Sequence, residues 1–183
     1  MAEILTDEID FSEYLRETDA KANVKPASVW MAELIERIKN PDRTKKVYLP
    51  WEKAKEVFTF RPAEVTLWAG QNGHGKTQVV SQVALSLMGQ GEKVVVASFE
   101  MKPATTLQRF ARMYAGENPF SPAFQSDEGV AAVIDLYREF GEWSDGKLWL
   151  YDQQGTVEAS RVIGMARYCA KELGVTHVVI DSL

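Results

Sequence analysis

One glycine-rich stretch carries the residue types needed to bind phosphate. GQNGHGKT, residues 70–77, fits the pattern G-x-x-x-x-G-K-[ST] at its fixed positions, Gly70, Gly75, Lys76 and Thr77. Glycines let successive backbone N–H groups curl around an anion, and the lysine brings a positive charge to the β and γ phosphates of a nucleotide. The threonine hydroxyl is a Mg²⁺ ligand in this pattern. The stretch therefore predicts a phosphate-binding loop.

The flanks of this glycine loop favour a binding site over a chance match in a turn. EVTLWAG before the loop is typical of a β-strand, and TQVVSQVALSLMGQG after it is typical of a helix, as the pattern requires. His74 fills a variable position and is interpreted as a loop filler rather than a catalyst. We expect the nucleotide to contact the whole run, which consists of Gly70, Gln71, Asn72, Gly73, His74, Gly75, Lys76, Thr77 and Gln78.

Two acidic residues end predicted buried strands. Asp181 follows HVVI, and Glu100 follows VVVASF. In open α/β sheets the carboxyl ends of the strands form the edge where ligands bind. Asp181 is therefore a candidate to hold Mg²⁺ together with Thr77, with a solvated strand end as the alternative. Glu100 is a candidate to align and deprotonate an attacking water, or it is an exposed acid that opens a loop, and spacing alone favours neither.

Three further residues are assigned structural positions. Asp152 ends LWLYD and is interpreted as a cap for the next helix, with a place in the pocket as the alternative. His177 begins a strand and is expected at the surface. Cys169 lies on an apolar helix face and is expected in the core. Because it is the single cysteine, no internal disulfide is possible, and a reducing, cytoplasmic setting is the simplest interpretation.

Predicted strands and helices alternate from Glu64 onward. After the loop, EKVVVASFE, KLWLYD and THVVIDSL indicate strands, and PATTLQRFARMYAG, SDEGVAAVIDLYREFGEW and TVEASRVIGMARYCAKELG indicate helices. The unbroken run Val94–Val96 is typical of a strand buried on both faces. This alternation predicts an α/β fold in which helices flank both faces of a parallel sheet.

Residues 1–46 are interpreted as a separate N-terminal arm because their charge is distributed unevenly. The first twenty residues carry seven acids and one base, and residues 37–55 carry seven bases and two acids. We interpret them as a flexible acidic start and a basic connector, joined by an amphipathic helix with Ser28 as N-cap and Pro41 as stop. The apolar face of that helix consists of Trp30, Met31, Leu34, Ile35 and Ile38.

Composition narrows the classes of function. The chain has 183 residues and a net charge of -5 at pH 7, which argues against a histone-like grip on nucleic acid but permits a local basic groove. It contains no run of about 18 or more apolar residues, as a membrane-spanning helix would need. The acidic N-terminus lacks the leader pattern of a secreted protein. These features again indicate the cytoplasm, or the cytoplasm of a phage-infected host.

Taken together, the motifs resemble the RecA-like motor domain of superfamily 4 replicative helicases, which include the bacterial DnaB type, the mitochondrial Twinkle type and phage primase-helicases. The resemblance covers about residues 47–183 and rests on RPAEVTLWAG, the glycine loop, SFEM and VVIDSL in this order. SFEM at this distance from the loop is far more specific than the loop itself. The phage and plasmid members are the most similar in character. The resemblance implies a partial RecA-like P-loop NTPase domain.

The resemblance assigns a role to each matching residue. Lys76 and Thr77 would bind the phosphates of ATP and Mg²⁺, Glu100 would be the catalytic glutamate and Asp181 the Walker B aspartate. Lys76 and Glu100 are therefore the catalytic candidates, and Thr77 and Asp181 are the metal ligands. Arg109 matches an arginine of the following helix in this family, to which we assign no role at this point.

The resemblance also implies partners and a longer motor. Its members form rings, usually hexamers, that move along single-stranded DNA, and the helix of the arm would correspond to their linker helix. Their motor continues past the Walker B strand with DNA-binding loops and an arginine finger, which would lie beyond residue 183. Without these segments we expect the domain to be incomplete at its C-terminus, and to be weakly stable or to oligomerise because of its open sheet edge. The resemblance thus leaves open whether this part of the motor is active without the rest.

Three other functions remain open. The first is a RecA-like recombinase or loader ATPase that coats DNA without unwinding it. The second is a P-loop kinase, which is disfavoured because ENPFSPAFQSDEG lacks the arginines of a mobile lid. The third is a nucleotide-binding module without catalysis.

Overall fold

A parallel β-sheet forms the centre of the computed structural model, which describes residues 3–5, 9–15, 26–39, 45–118 and 121–181. Its strands lie in the order β1-β5-β4-β6, and each neighbouring pair is parallel. A short antiparallel hairpin, β2-β3, lies outside this sheet. The strands are β1 (Glu3–Leu5), β2 (Val47–Tyr48), β3 (Thr59–Phe60), β4 (Val94–Ser98), β5 (Leu148–Tyr151) and β6 (His177–Asp181).

The helices begin and end at residues suited to those positions. Pro103 occupies the first turn of the helix after β4, and Gly116 ends it in the left-handed region with φ 70°. The Ser126 side chain accepts a hydrogen bond from the Gly129 N–H at 3.1 Å and so caps the next helix. The α-helices are α1 (Met31–Lys39), α2 (Glu52–Lys55), α3 (Lys76–Gly89), α4 (Pro103–Ala115), α5 (Asp127–Ser144) and α6 (Ala159–Tyr168), and the last continues as a π-helical turn, Cys169–Leu173.

The hydrophobic core has one part on each face of the sheet, because side chains alternate along a strand. Val94 and Val96 of β4 belong to the part that includes residues of α3, α4 and α5. Val95 and Ala97 belong to the part that includes residues of α6. All five residues of β4 are buried. The prediction of an α/β fold with helices on both faces of a parallel sheet is confirmed.

The strand predicted before the glycine loop does not form. Residues 64–70 have no regular secondary structure, and the side chains of Val65 and Leu67 are 97% and 84% exposed. A strand needs a neighbour for its backbone N–H and C=O groups, and among the described residues none pairs with this segment. Apolar alternation alone therefore gave a wrong assignment here. At one side of the sheet, β6 is an edge strand.

Residues 9–15 pack against α6, which differs from the interpretation of the acidic start as flexible. Phe11 is buried, and its ring meets that of Tyr168 edge-to-face with centroids 5.7 Å apart. The Arg167 side chain donates a hydrogen bond to the Tyr14 carbonyl at 2.7 Å. In addition, β1 pairs with β5 at the edge of the sheet. The boundary between arm and domain stays a prediction.

The position of this segment also changes the buried face of α6. Apolar spacing in the sequence predicts an inner stripe of Ala159, Val162, Ile163, Ala166, Cys169, Ala170 and Leu173, but Ala159, Ile163 and Ala170 are exposed. Val162 and Cys169 of the predicted stripe are buried, and Gly164 and Met165, which lie outside it, are buried as well. Gly164 lies so close to the segment that an added Cβ would be 2.7 Å from the Phe11 Cβ. Glycine permits this close approach.

The predicted amphipathic helix of the arm is present. It begins as a 3₁₀ turn at Ala27, so Pro26 rather than Ser28 is the cap residue, and the proposed stop Pro41 lies outside the described residues. Its apolar face is exposed along its whole length, at Trp30, Met31, Leu34, Ile35 and Ile38. Among the described residues, no helix has both the length and the apolarity to cross a membrane.

Candidate functional site

The glycine loop adopts a backbone that favours glycine and leads directly into α3. Gly73 and Gly75 both have φ 80°, a region that side-chain-bearing residues rarely adopt. Helix α3 begins at Lys76, and no side chain caps it. The N–H groups in the first turn of a helix lack intrahelical acceptors, and the helix dipole adds partial positive charge at this end. The loop and this helix start therefore suit an anion.

Lys76 lies across the loop. Its Nζ atom donates hydrogen bonds to the carbonyl oxygens of Gly70 at 2.8 Å and Gln71 at 3.1 Å. A phosphate in the loop would compete with these carbonyls for the ammonium group. The other predicted contact residues Asn72, Gly73, His74 and Gln78 are exposed in or beside the loop. The His74 backbone N–H donates to the Gln71 carbonyl at 3.3 Å, and the interpretation of its side chain as a loop filler stays a prediction.

The structure brings Thr77 and Asp181 together. Thr77 lies in the first turn of α3 and Asp181 is the last residue of β6, and the Thr77 hydroxyl donates to the Asp181 carboxylate at 3.1 Å. Both side chains are part-buried. A hydroxyl and a carboxylate are oxygen ligands of the kind that Mg²⁺ prefers, and Mg²⁺ commonly uses one or two carboxylates together with substrate phosphates. The pair fits the predicted metal site.

Such a site would not be a dedicated protein cage. Among the described residues, no group of three or more His, Cys, Asp and Glu side chains converges as a metal cage would require. The fit to Mg²⁺ therefore depends on a ligand that brings further oxygens, as nucleotide phosphates do.

Glu100 lies at the same edge of the sheet. The backbone of Phe99 before it is held on both sides, because its N–H donates to the Asp181 carbonyl at 3.3 Å and its carbonyl accepts from the Gly155 N–H at 3.0 Å. The Glu100 side chain is exposed and, within the described part of the chain, makes no hydrogen bond or ion pair. A carboxylate in this position is available to accept a proton from water.

A small cavity lies behind Thr77 and Asp181. Its polar lining residues are Thr77, Ser81, Ser98, Thr106, Arg109 and Asp181, contributed by α3, α4, β4 and β6. Ser81 and Ser98 are bonded locally, since Ser81 donates to the Thr77 carbonyl at 2.7 Å and Ser98 accepts from the Met101 N–H at 3.3 Å. No sequence pattern points to Ser81, Ser98 or Thr106, because a single hydroxyl residue in a helix or strand forms no pattern.

Two structural assignments made from the sequence are wrong. Asp152 does not cap α6, because that helix begins at Ala159 and its cap residue is Glu158; Asp152 is exposed and does not line the cavity. His177 is not a surface residue. It is half-buried at the amino end of β6, 3.7 Å from the Glu92 carboxylate, and burial lowers its pKa.

Cys169 is in the core, as expected. Its side chain is fully buried, and burial raises the pKa of the thiol to about 12. Because the thiolate is the reactive form, we expect this cysteine to be unreactive in the folded protein.

The chain matches no model of a known protein family. The resemblance to a helicase motor therefore depends on its motifs and stays a prediction. The geometry described above is independent of that resemblance.

Proposed function

We propose that this chain is a P-loop ATPase that binds ATP with Mg²⁺ and hydrolyses it. The observation that carries the proposal is the 3.1 Å hydrogen bond between Thr77 Oγ1 and Asp181 Oδ1. These residues are 104 positions apart, yet they meet at the start of the helix that follows the glycine loop. A turn that matched the phosphate-binding pattern by chance would have no reason to lie beside a strand-end carboxylate.

In this proposal the loop grips the phosphates. The N–H groups of residues 71–77 surround the anion, and Gly73 and Gly75 supply the backbone conformation that turns those groups inward. Lys76 exchanges the carbonyls of Gly70 and Gln71 for the β and γ phosphate oxygens. Its positive charge then stabilises the negative charge that develops during phosphoryl transfer.

The remaining groups serve the metal and the water. Thr77 and Asp181 hold Mg²⁺, which neutralises phosphate charge when bound. Glu100 aligns the attacking water and accepts its proton, which its exposed and unbonded carboxylate permits. The anchored backbone of Phe99 limits the movement of Glu100 at the strand end.

We further propose that the ATPase is the motor of a ring-forming replicative DNA helicase of the phage or plasmid type. The support is the order of four motifs, with SFEM the most specific, in an α/β fold of the kind that such motors use. The exposed apolar face of α1 fits a homo-oligomer, because such faces on helices usually mark a contact with another surface. In this proposal the ring encloses single-stranded DNA.

The test measures ATP hydrolysis with and without single-stranded DNA. We expect turnover that DNA stimulates, and Glu100→Gln should retain ATP binding while turnover falls about 100-fold or more, the usual contribution of a general base. Glu117→Gln is the matched control, since Glu117 is an exposed acid beyond the far end of α4. Normal hydrolysis by Glu100→Gln would contradict its catalytic role.

The same assay separates the other functions. Turnover that ignores DNA would overturn the helicase and favour a kinase or another ATPase. DNA-stimulated turnover without strand displacement would favour a recombinase or loader. ATP binding without turnover in the wild-type chain would favour a module that only binds nucleotide.

A further inference from the structure

The cavity behind Thr77 and Asp181 contains a buried polar atom that the proposed function does not use. Thr106 of α4 is 4% exposed, and its Oγ1 atom has no hydrogen-bond partner among the described residues. A buried hydroxyl without a partner destabilises a fold, so such groups usually contact protein atoms or an ordered water. Thr106, which belongs to α4, lines the same cavity as Asp181, which belongs to β6.

The size and lining of the cavity suit a single water molecule. Its volume is about 10 Å³, close to the smallest space that one water needs. A buried water requires two to four polar partners. Thr106, Ser98 and Asp181 line the cavity, and their two hydroxyls and one carboxylate are polar groups of the kind required.

Arg109 lies one helical turn after Thr106 and lines the same cavity. Residues three apart on a helix share a face, which explains why both meet the cavity. Within the described part of the chain, Arg109 makes no hydrogen bond or ion pair. Arg109 is exposed to solvent, and it and Asp181 are both among the residues that line the cavity.

We propose that Thr106 and Arg109 are positioning residues for Asp181, Thr106 through one ordered water in the cavity and Arg109 through its charge. Thr77 already donates to Asp181 Oδ1. The water donates to the carboxylate, and the positive charge of the guanidinium attracts the carboxylate oxygens. The carboxylate is then fixed in the orientation needed at the metal. This part of the proposal rests on the proposed ATPase function, whereas the water site does not.

The first test concerns the water and needs no nucleotide. Thr106→Val keeps the shape of the side chain and removes the hydroxyl, and Thr105→Val is the matched control at the exposed neighbouring position. If the hydroxyl binds a bridging water, Thr106→Val should lower the melting temperature more than Thr105→Val does. If the cavity is dry, valine removes an unpaired polar group and the melting temperature should rise, which would overturn the water site.

The second test concerns Arg109. Binding of a fluorescent ATP analogue is measured while Mg²⁺ is titrated, with Arg109→Ala, Arg109→Lys and the control Arg112→Ala, an exposed arginine on the same helix. Groups that orient metal ligands typically change metal affinity by about 10- to 100-fold. Arg109→Ala should raise the half-saturating Mg²⁺ concentration by about 10-fold, with partial recovery in Arg109→Lys, and Arg112→Ala should match wild type.

The outcomes distinguish the two proposals. If wild type binds the analogue with Mg²⁺ and Arg109→Ala has the wild-type Mg²⁺ requirement, the positioning role of Arg109 is wrong and the ATP site stands. If wild type binds no analogue at any Mg²⁺ concentration, the proposed ATPase function fails, and with it the role of Arg109. The melting experiment on Thr106 still decides the water site in that case.

Discussion

Replacing Gly75 by alanine should strain the loop without creating a clash. Gly75 has φ 80° and ψ 20°, and a Cβ built at this position would meet no atom within 4 Å. The effect therefore comes from the backbone alone. A side-chain-bearing residue in this left-handed region costs about 1–2 kcal/mol. Gly75→Ala should lower the free energy of unfolding by this amount, which is about a 5- to 30-fold change in the unfolding equilibrium.

The assay is urea unfolding followed by tryptophan fluorescence, with Gly141→Ala as the control. Gly141 lies inside α5, has no positive φ, and also has no atom within 4 Å of a built Cβ. Alanine is the better helix former by about 0.5–1 kcal/mol, so Gly141→Ala should raise the free energy of unfolding. Replacement of glycine by alanine should thus lower the free energy of unfolding at Gly75 and raise it at Gly141.

A stability of Gly75→Ala equal to or above that of wild type would refute the reasoning. It would mean that the loop relaxes to another backbone, and that the inward-turned N–H groups in front of α3 do not depend on glycine. If instead the strain is relieved only by opening the loop, ATP binding should weaken as well. Gly141→Ala should leave ATP binding unchanged.

Three further predictions concern parts of the molecule away from the loop. Gly164→Ala should destabilise the fold by about 1–3 kcal/mol in urea unfolding, because its Cβ would meet the Phe11 Cβ at 2.7 Å. Cys169 should not react with a thiol reagent at pH 8 until the protein is unfolded, because burial raises its pKa to about 12. Acidification from pH 7 through about 6.5 should lower the free energy of unfolding, because burial lowers the pKa of His177 and the unfolded chain then binds the proton more tightly. His177→Gln should reduce this pH dependence.

For each of these three predictions, one experimental result would contradict the reasoning. Wild-type stability of Gly164→Ala would show that residues 9–15 do not pack on α6. Rapid labelling of native Cys169 would show that α6 opens readily from the sheet. Burial and the charge of Lys45 both lower the pKa of His177, whereas the charge of Glu92 raises it. If His177→Gln left the pH dependence unchanged, the effect of Glu92 would cancel the lowering by burial and Lys45.

The sequence predicted those elements whose pattern is decided by local burial. The run Val94–Val96 required a strand buried on both faces, and β4 has this environment. Pro103 and Gly116 bound α4 as proline and glycine commonly bound helices. The meeting of Thr77 with Asp181 followed from the rule that strand ends share one edge with the loop.

The sequence was uninformative where contacts between residues distant in the chain determine the secondary structure or the packing. Residues 64–70 alternate like a strand, but a strand requires a paired neighbour, which no local pattern supplies. The packing of Phe11 against Gly164 was not predicted, because the residues around Phe11 are mostly acidic and indicated an exposed segment. The hairpin β2-β3 has two residues in each strand, too few for any periodicity. Thr106 shows its importance only once the cavity is formed.

The most direct test of the account is the calorimetric titration of the chain with ATP in the presence of Mg²⁺. We predict one binding site for each chain, and much weaker binding when Mg²⁺ is withheld or when Asp181 is replaced by asparagine. If ATP does not bind, or if it binds equally well without Mg²⁺ and to Asp181→Asn, then the loop, Thr77 and Asp181 do not form a Mg²⁺–nucleotide site and the central claim is contradicted.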